Sequence, residues 1–265
     1  MPALNGASLA AHIRRSTIVT SKRANVGHIG SCLSVADIIA ALYGGVVRGE
    51  PAEYDRDRFV LSKGHAALAL YAALNGVGRL SDADLATFCD DGSELNTHPA
   101  HTVAGVDFST GSLGHGLSIG AGAALAARLQ GSSRRVFVLV SDAECNEGAV
   151  WEAVMFAAHH RLGNLIAIID ANGQQALGLT TDILDLAPLR RRWEAFGWDA
   201  SDVDGHDVEA IATILDRTDT RSGPPRVLVA RTVFGKGVSF MEGQLAWHYL
   251  PLSDHDYERA LAEIG

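Results

Sequence analysis

The sequence predicts an α/β fold in which helices cover both faces of a doubly wound, mainly parallel β-sheet. Two observations support this prediction: three uninterrupted apolar runs, and segments of helical periodicity that separate them. A strand buried on both faces shows no alternation of polar and apolar residues, because both of its sides meet apolar neighbours. Helices that alternate with such strands are typical of doubly wound sheets. The three runs lie at residues 136–140, 165–169 and 227–230.

The helix between the first two strands has a clear helical period. Within residues 147–161, apolar side chains recur at positions i, i+4, i+7 and i+8, starting at Val150, and these positions share one face of a helix. Strand, helix and strand therefore form a βαβ unit, for which a right-handed crossover is expected. Further helices are predicted at residues 8–25, 34–43, 66–76, 81–88, 116–129 and 207–216.

The composition excludes several classes of protein. The chain has 265 residues, of which 47% are hydrophobic and 20% charged, and this excludes a disordered, collagen-like or coiled-coil chain. The net charge of −9 argues against nucleic acid as a partner, because an acidic protein repels a phosphate backbone. The densest basic run, at residues 190–192, is interpreted as the solvated face of a helix.

The cysteines and the N-terminal region bear on the location of the protein. Cys32, Cys89 and Cys145 are scattered and form no CxxC pair, so neither a disulfide framework nor a structural zinc site is expected. The first residues lack a secretory signal, and no uncharged apolar segment is long enough to cross a membrane. We therefore expect a cytoplasmic protein that does not interact with membranes. Cys145 has no evident partner base and is interpreted as structural.

Polar residues follow two of the predicted strands. Asp142 comes just after the first strand and Asn172 just after the second. Ligands of doubly wound sheets bind beyond the carboxyl ends of the strands, so the two side chains can converge if these strands are neighbours. Carboxylate and amide oxygens suit Mg²⁺ or Ca²⁺ better than zinc, and Mg²⁺ is commonly shared with a phosphate group. An aspartate at a strand end is also a common helix cap, and the spacing alone leaves both interpretations open.

Several short blocks of a recognisable pattern lie in order along nearly the whole chain. They are Gly27-His28-Ile29-Gly30, residues 61–66, His98-Pro99, residues 109–114, residues 162–167, and residues 234–242 followed by Trp247-His248. Together with the segment from Asp142 to Asn172, which resembles the Gly-Asp-Gly…Asn motif that binds thiamine diphosphate, these blocks resemble the transketolase family, in particular the separate N-terminal subunits of split transketolases. The resemblance implies the thiamine-diphosphate-binding fold, with residues 1–265 forming a single diphosphate-binding domain.

The resemblance also implies roles for particular residues. Asp142, Asn172 and the backbone carbonyl of Gln174 would hold the metal, which we expect to be Mg²⁺, with Ca²⁺ as the alternative. Histidine can donate or accept a proton near neutral pH, and four histidines are expected to be catalytic: His28, His65, His98 and His248. The residues expected to contact thiamine diphosphate are His65, Gly111, Leu113, Asp142, Ala143, Glu147, Asn172 and His248.

The sequence departs from the family pattern around the motif. Ser141 and Ala143 stand where the family has glycine, so Ala143 must avoid a backbone conformation that only glycine adopts readily. Weaker cofactor affinity is an expected consequence. His115 occupies a position where the family usually has glutamine. These changes suggest a specialised donor or acceptor.

Two further residues near the motif blocks need an interpretation. His101 lies close to His98, and the proline that follows His98 favours His98 as the histidine that faces the substrate. Glu144 is interpreted as an exposed acidic residue in the first turn of the next helix, where it would face the positive end of the helix dipole.

The resemblance implies that a second chain is required. In transketolases, a glutamate on a separate pyrimidine-binding domain activates the cofactor, and that domain follows the present one in full-length members. We expect the pyrimidine-binding and C-terminal domains on a C-terminal transketolase subunit, in an α₂β₂ assembly with the cofactor at the interface. The pair would transfer a two-carbon ketol unit from a ketose or ketose phosphate donor to an aldehyde acceptor.

Two alternatives stay open on the sequence alone. One is another thiamine-diphosphate enzyme, similar to deoxyxylulose-phosphate synthase or to a 2-oxo acid dehydrogenase subunit; the block at residues 234–242 speaks against it. The other is a non-catalytic, regulatory subunit, which the departures at Ser141 and Ala143 keep open.

Overall fold

A parallel β-sheet forms the centre of the fold. The computed structural model describes residues 4–50, 52–216 and 223–265. In these residues five parallel strands pair in the spatial order β1-β2-β3-β7-β6, and a short hairpin, β4 and β5, follows β3. The strands are β1 (Arg58–Leu61), β2 (Val136–Ser141), β3 (Leu165–Ala171), β4 (Gln174–Gln175), β5 (Gly178–Leu179), β6 (Asp199–Asp204) and β7 (Arg226–Arg231).

Helices connect the strands and close the fold at its C-terminus. None of the described helices is both long enough and apolar enough to span a membrane. The α-helices are α1 (Gly6–Ala24), α2 (Ile29–Ser34), α3 (Ala36–Ala41), α4 (Ala67–Gly76), α5 (Asp82–Leu85), α6 (His115–Leu129), α7 (Gly148–His159), α8 (Thr180–Ile183), α9 (Leu189–Ala195), α10 (Val208–Asp216) and α11 (Asp254–Ile264). A π-helical turn covers Leu42–Val46, and 3₁₀ turns cover Gly64–Ala66, Ala143–Asn146 and Leu245–His248.

The two faces of the sheet carry separate hydrophobic cores. Successive side chains of a strand point to opposite faces, so Phe137 and Leu139 pack with α1, α3 and α4 on one face. Val138 and Val140 pack with α6 and α7 on the other. The continuous apolar runs therefore belong to strands that are covered on both sides, and the predicted doubly wound α/β sheet is confirmed.

A third cluster joins the segment after β7 to the N-terminal helices. Phe234 and Trp247 pack with Ile29 of α2 and with Ala260 of α11. A side chain at Gly30 would bring its Cβ within 2.2 Å of the Phe234 ring, so the segment can approach α2 only because residue 30 is glycine. This packing brings residues 234–248 beside the start of α2.

The structure corrects several predicted boundaries. The helix predicted at residues 34–43 begins earlier, as α2, and is interrupted at Val35 before α3. The helix predicted at residues 81–88 is only the single turn α5. Strands β1 and β6 and helix α11 were not predicted, because β1 has only four residues and β6 is a polar strand at the edge of the sheet. The arginines at 190–192 lie exposed on α9, as interpreted.

Candidate active site

Loops at the carboxyl edge of the sheet surround a cavity of about 320 Å³. They follow β1, β2, β3 and β7, and the start of α2 completes the wall. Asp142 lies just outside this cavity and instead borders an adjoining one of about 580 Å³. The cavity of about 320 Å³, called the histidine cavity below, is lined by every other predicted site residue: His28, His65, His98, Gly111, Leu113, Ala143, Glu147, Asn172, Gln174 and His248.

Three histidine rings pack against one another in the wall of the histidine cavity. The ring centroids of His28 and His65 are 5.4 Å apart, those of His28 and His248 are 5.2 Å apart, and those of His65 and His248 are 5.5 Å apart. The backbone N–H of His28 donates to the carbonyl of His248 at 3.2 Å. Gly27 permits this approach, because a Cβ there would lie 2.4 Å from the Tyr249 carbonyl oxygen.

Burial holds these three histidines in the neutral form near pH 7. It lowers the pKa of His28 and lowers that of His65 well below its usual range. Burial, the charge of His28 when protonated and the nearby Lys63 lower the pKa of His248 to about 4. A neutral imidazole has one N–H donor and one acceptor nitrogen. The buried Nδ1 of His28 has no hydrogen-bond partner among the described residues, which leaves it available to a polar ligand.

A buried lysine lies beneath the histidines. The Nζ of Lys63 donates to Asp170 Oδ2 at 2.5 Å and to the Ser31 carbonyl at 3.5 Å. Asp170 is fully buried and also accepts hydrogen bonds from Ser34 Oγ at 2.6 Å and from Asn172 Nδ2 at 2.9 Å. The ion pair therefore connects the loop after β1 with the end of β3.

The strands that precede Asp142 and Asn172 are neighbours, as the predicted metal site requires. The N–H of Gly173 donates to Asp142 Oδ2 at 2.7 Å, which joins the two loops directly. Asn172 directs its Nδ2 towards Asp170 and Ser34, and its Oδ1 accepts from the N–H of Gln174 at 2.9 Å.

The oxygen donors of these loops fit a hard divalent cation. Asp142 supplies a carboxylate and Asn172 an amide oxygen, the ligand types that Mg²⁺ prefers. Burial and the neighbouring Asp170 raise the pKa of Asp142 to about 7, and a bound cation would favour its charged form. The Oε1 of Gln174 is buried without a hydrogen-bond partner among the described residues. Among the described residues, no group of three His, Cys, Asp or Glu side chains could hold a metal. This does not bear on the predicted ligands, because only Asp142 among Asp142, Asn172 and the Gln174 carbonyl is such a side chain.

The two departures from the glycine motif cause no backbone strain. The described non-glycine residues with positive φ are Asn25, His28, Cys89 and Arg161, so neither Ser141 nor Ala143 occupies a glycine-only conformation. Ala143 begins a 3₁₀ turn, and its N–H is bonded to Asp142 Oδ1 at 2.8 Å.

The two neighbouring histidines at 98 and 101 differ in position. His98 lines the histidine cavity. The Nδ1 of His101 instead lies 2.9 Å from the hydroxyl of Ser109, within hydrogen-bonding distance. Of the two, only His98 is among the residues that line the cavity, and which of them faces the substrate stays a prediction.

The interpretation of Glu144 as an exposed residue is wrong. Its side chain is fully buried, and it accepts hydrogen bonds from Ser62, Gly114 and Ser141. The sequence carries a signal only for the bond to Ser141, because a serine followed three residues later by a glutamate has the spacing of a capping box. The structural interpretation of Cys145 agrees with the structure, because burial raises the pKa of its thiol well above the usual value.

Comparison with known proteins gives one family match. Residues 6–265 match the family described as transketolase, thiamine diphosphate binding domain. A relative from Phocaeicola vulgatus, named as one subunit of an apulose-4-phosphate transketolase, is 39% identical over 255 residues, which are 95% of this chain and 91% of that protein. A second, from Clostridium sp., is the 6-deoxy-6-sulfo-D-fructose transketolase subunit SqwG, 38% identical over 95% of this chain and 93% of that protein.

Longer relatives match over only part of their length. The human protein named transketolase is 38% identical over 95% of this chain, but the match covers only 41% of that protein. The solved structure of transketolase from Leishmania mexicana superposes with a TM-score of 0.89 at 30% identity. That superposition covers 97% of this chain and 41% of the other. This chain thus spans less than half of these longer proteins.

Proposed function

This chain belongs to the transketolase family as a small, thiamine-diphosphate-dependent transferase subunit, and on that premise we propose that the histidine cavity is its active site. The proposed reaction transfers a two-carbon ketol unit from a ketose or ketose phosphate to an aldehyde. The relatives described above are transketolases and transketolase subunits, which favours this reaction over the other thiamine-diphosphate reactions considered.

The observation that carries the proposal is that three neutral histidines line the same cavity as Asn172, whose loop is bonded to Asp142 through the N–H of Gly173. In this proposal Asp142, Asn172 and the carbonyl of Gln174 hold Mg²⁺, which binds the diphosphate of the cofactor. Gly111, Leu113, Ala143 and Glu147 line the histidine cavity and would surround the same ligand. When bound, thiamine diphosphate supplies the carbanion chemistry of the reaction.

The histidines handle the protons in the proposed reaction. A neutral imidazole N–H can donate a hydrogen bond to a substrate oxygen that becomes negatively charged, and the other nitrogen can accept a proton. His28, His65 and His248 suit this role because burial lowers the pKa of each of them. His98 lies on the exposed side of the cavity, where it can contact the part of the substrate that enters last.

We propose that a C-terminal transketolase subunit closes the cavity. Two of the relatives, from Phocaeicola vulgatus and Clostridium sp., are each named as a subunit of a transketolase, which implies a second chain. Large apolar side chains that follow two lining residues of the cavity in the sequence are exposed in this chain: Leu177, after Ala176, is 73% exposed, and Tyr249 and Leu250, after His248, are 55% and 51% exposed. The partner would carry the pyrimidine-binding domain and the activating glutamate, in an α₂β₂ assembly. A cytoplasmic location is part of the proposal, because none of the three cysteines is paired.

The names of the relatives indicate a substrate class. One is named for apulose-4-phosphate and another for 6-deoxy-6-sulfo-D-fructose, both of them sugars with an anionic group at one end. We propose a ketose of this anionic type as the donor here, with most of the contacts to its anionic end made by the partner.

Loss of the Asp142 carboxylate tests the proposed cofactor site. In the complex with the partner subunit, Asp142→Ala should abolish Mg²⁺-dependent binding of thiamine diphosphate, because it removes the only charged protein ligand. Isothermal titration calorimetry measures the binding. Asp91→Ala, at an exposed carboxylate that does not line the cavity, is the control. Unchanged binding in Asp142→Ala would instead support a non-catalytic, regulatory subunit.

A further inference from the structure

The carboxylate of Glu144 lies where three loops of the histidine cavity meet. Its Oε1 accepts a hydrogen bond from the hydroxyl of Ser62 at 2.5 Å and from the N–H of Gly114 at 2.8 Å. Its Oε2 accepts from the N–H of Ser141 at 3.1 Å. The three donors come from the loops after β1, before α6 and at the end of β2. One fully buried side chain thus joins three segments that are distant in the sequence.

The bond between Glu144 and Ser141 is reciprocal. The N–H of Glu144 donates to the hydroxyl of Ser141 at 3.0 Å, so each residue caps the backbone of the other, as in a capping box. Ser141 stands where the family motif has glycine, and a glycine would supply no hydroxyl. The departure from the motif therefore gives the 3₁₀ turn Ala143–Asn146 an additional bond.

The three loops also pack too closely to move independently. A Cβ at Gly116 would lie 2.3 Å from the hydroxyl of Ser62, and one at Gly114 would lie 2.7 Å from the Cβ of Glu147. A buried carboxylate that loses a donor keeps the cost of its desolvation. The bonds of Glu144 therefore fix the spacing that this packing requires.

Each of the joined loops carries residues of the proposed cofactor site. The loop after β1 carries His65, the loop before α6 carries Gly111 and Leu113, and the loop after β2 carries Asp142 and Ala143. We propose that Glu144, capped by Ser141, is a positioning residue that holds these three loops in the arrangement that binds thiamine diphosphate. The role in binding rests on the proposed function; the joining of the loops does not.

Hydrogen–deuterium exchange of the full chain tests whether Glu144 joins the loops. In Glu144→Gln the side-chain N–H₂ is a donor and replaces an oxygen that accepts hydrogen bonds, so at least one bond between the loops is lost. Amide exchange at residues 61–66 and 109–116 should therefore become about tenfold faster. The matched control is Asn164→Ala, which removes a buried side chain that joins the carbonyls of Ala124 and Arg134 at the opposite edge of the sheet. Faster exchange confined to residues 141–147 would overturn the proposal.

Two milder variants keep the test decisive if Glu144→Gln does not fold. Ser62→Ala removes one bond to Glu144 and should still speed exchange at residues 109–116. Ser141→Gly restores the family glycine and should speed exchange at residues 143–146. Because the indole N–H of Trp151 donates to the Cys145 carbonyl at 2.8 Å, a change in tryptophan fluorescence should accompany it. Exchange and fluorescence unchanged in both variants would overturn the proposal.

Cofactor binding by the complex with the partner subunit tests the positioning role. Glu144→Gln should raise the dissociation constant of thiamine diphosphate with Mg²⁺ about tenfold and keep most of kcat at saturating cofactor. Ser141→Gly should also weaken binding, although it restores the motif. Asn164→Ala should leave the dissociation constant unchanged even where it lowers Tm; equal weakening in this control would overturn the role. A wild-type complex that binds no cofactor would overturn the proposed function, and the exchange experiment would still decide whether Glu144 joins the loops.

Discussion

Burial and a fixed positive charge determine the protonation of the candidate catalytic histidines. The rings of His28, His65 and His248 are withdrawn from water and lie near Lys63, and both effects disfavour a proton on the imidazole. For each of the three, burial is the larger cause of the lowered pKa. The three imidazoles therefore carry no charge at neutral pH.

Replacing His248 should change how stability depends on pH. Because the pKa of His248 is about 4 in the folded chain and about 6.5 when unfolded, the unfolded chain binds the proton more readily. The contribution of neutral His248 to the free energy of unfolding is therefore fully present above about pH 6.5 and is lost as the pH falls towards 4. The free energy of unfolding should fall between pH 7.5 and pH 5 by about 1 kcal/mol less in His248→Gln than in the wild type, after allowance for the partial exposure of His248. Urea denaturation at the two pH values measures it.

The control for this measurement is His255→Gln, on the polar side of α11. In this control, the free energy of unfolding should change between pH 7.5 and pH 5 by the same amount as in the wild type. An equal pH dependence in His248→Gln and the wild type would contradict the depressed pKa.

At the scale of the elements, one ion pair links two strands and a helix. Lys63 follows β1, Asp170 lies near the end of β3, and Ser34, which bonds to Asp170, ends α2. A buried ion pair contributes little net stability, but removal of one partner leaves the other charge without compensation. The pair therefore fixes the relative position of elements that all border the histidine cavity.

A double-mutant comparison tests this link. Lys63→Met should lower the free energy of unfolding by about 3–5 kcal/mol, because it leaves the Asp170 carboxylate buried and unpaired. Adding Asp170→Asn removes that charge and should recover at least about 1 kcal/mol. Chemical denaturation of the single and double variants gives both numbers. A double variant as unstable as the sum of the two single losses would mean that the residues do not interact.

At the scale of the whole molecule, the candidate site lies at one edge of the sheet and has an exposed apolar border. Leu177 and Leu250 belong to the segments after β3 and after β7, and both side chains are more than half exposed. Exposed apolar side chains beside a cavity are typical of an interaction surface. Together with the relatives named as subunits, it agrees with a site completed by a second chain.

Polar substitutions in this border should weaken assembly without unfolding the chain. Leu177→Ser and Leu250→Ser together should raise the dissociation constant for the C-terminal partner by at least about tenfold, since both lose apolar burial only on binding. Isothermal titration calorimetry measures it, and Tm of the isolated chain should stay unchanged. Leu129→Ser is the matched control, because Leu129 is 79% exposed at the far end of α6. Similar weakening by the control would argue against this surface.

The apolar patterns identified the centre of the fold and its family. Strands β2, β3 and β7 could be predicted because they are buried on both faces and leave continuous apolar runs in the sequence. The motif blocks identified the transketolase family, which the comparisons confirm. Strand β6 could not be predicted, because a polar strand at the sheet edge gains its pairing from β7 and not from its own composition.

The sequence by itself determined that Asp142 and Asn172 stand at strand ends, because each follows a continuous apolar run. One helix connects these two runs, so a parallel pair of neighbouring strands was expected, and β2 and β3 form it. Only the tertiary structure decided that Glu144 is buried, since its burial depends on donors from residues 62 and 114 that lie far away in the chain. It also decided that three histidines from separate loops meet. The physical reason is that hydrophobic periodicity is local, whereas desolvation and hydrogen bonding depend on which distant segments the packed sheet brings together.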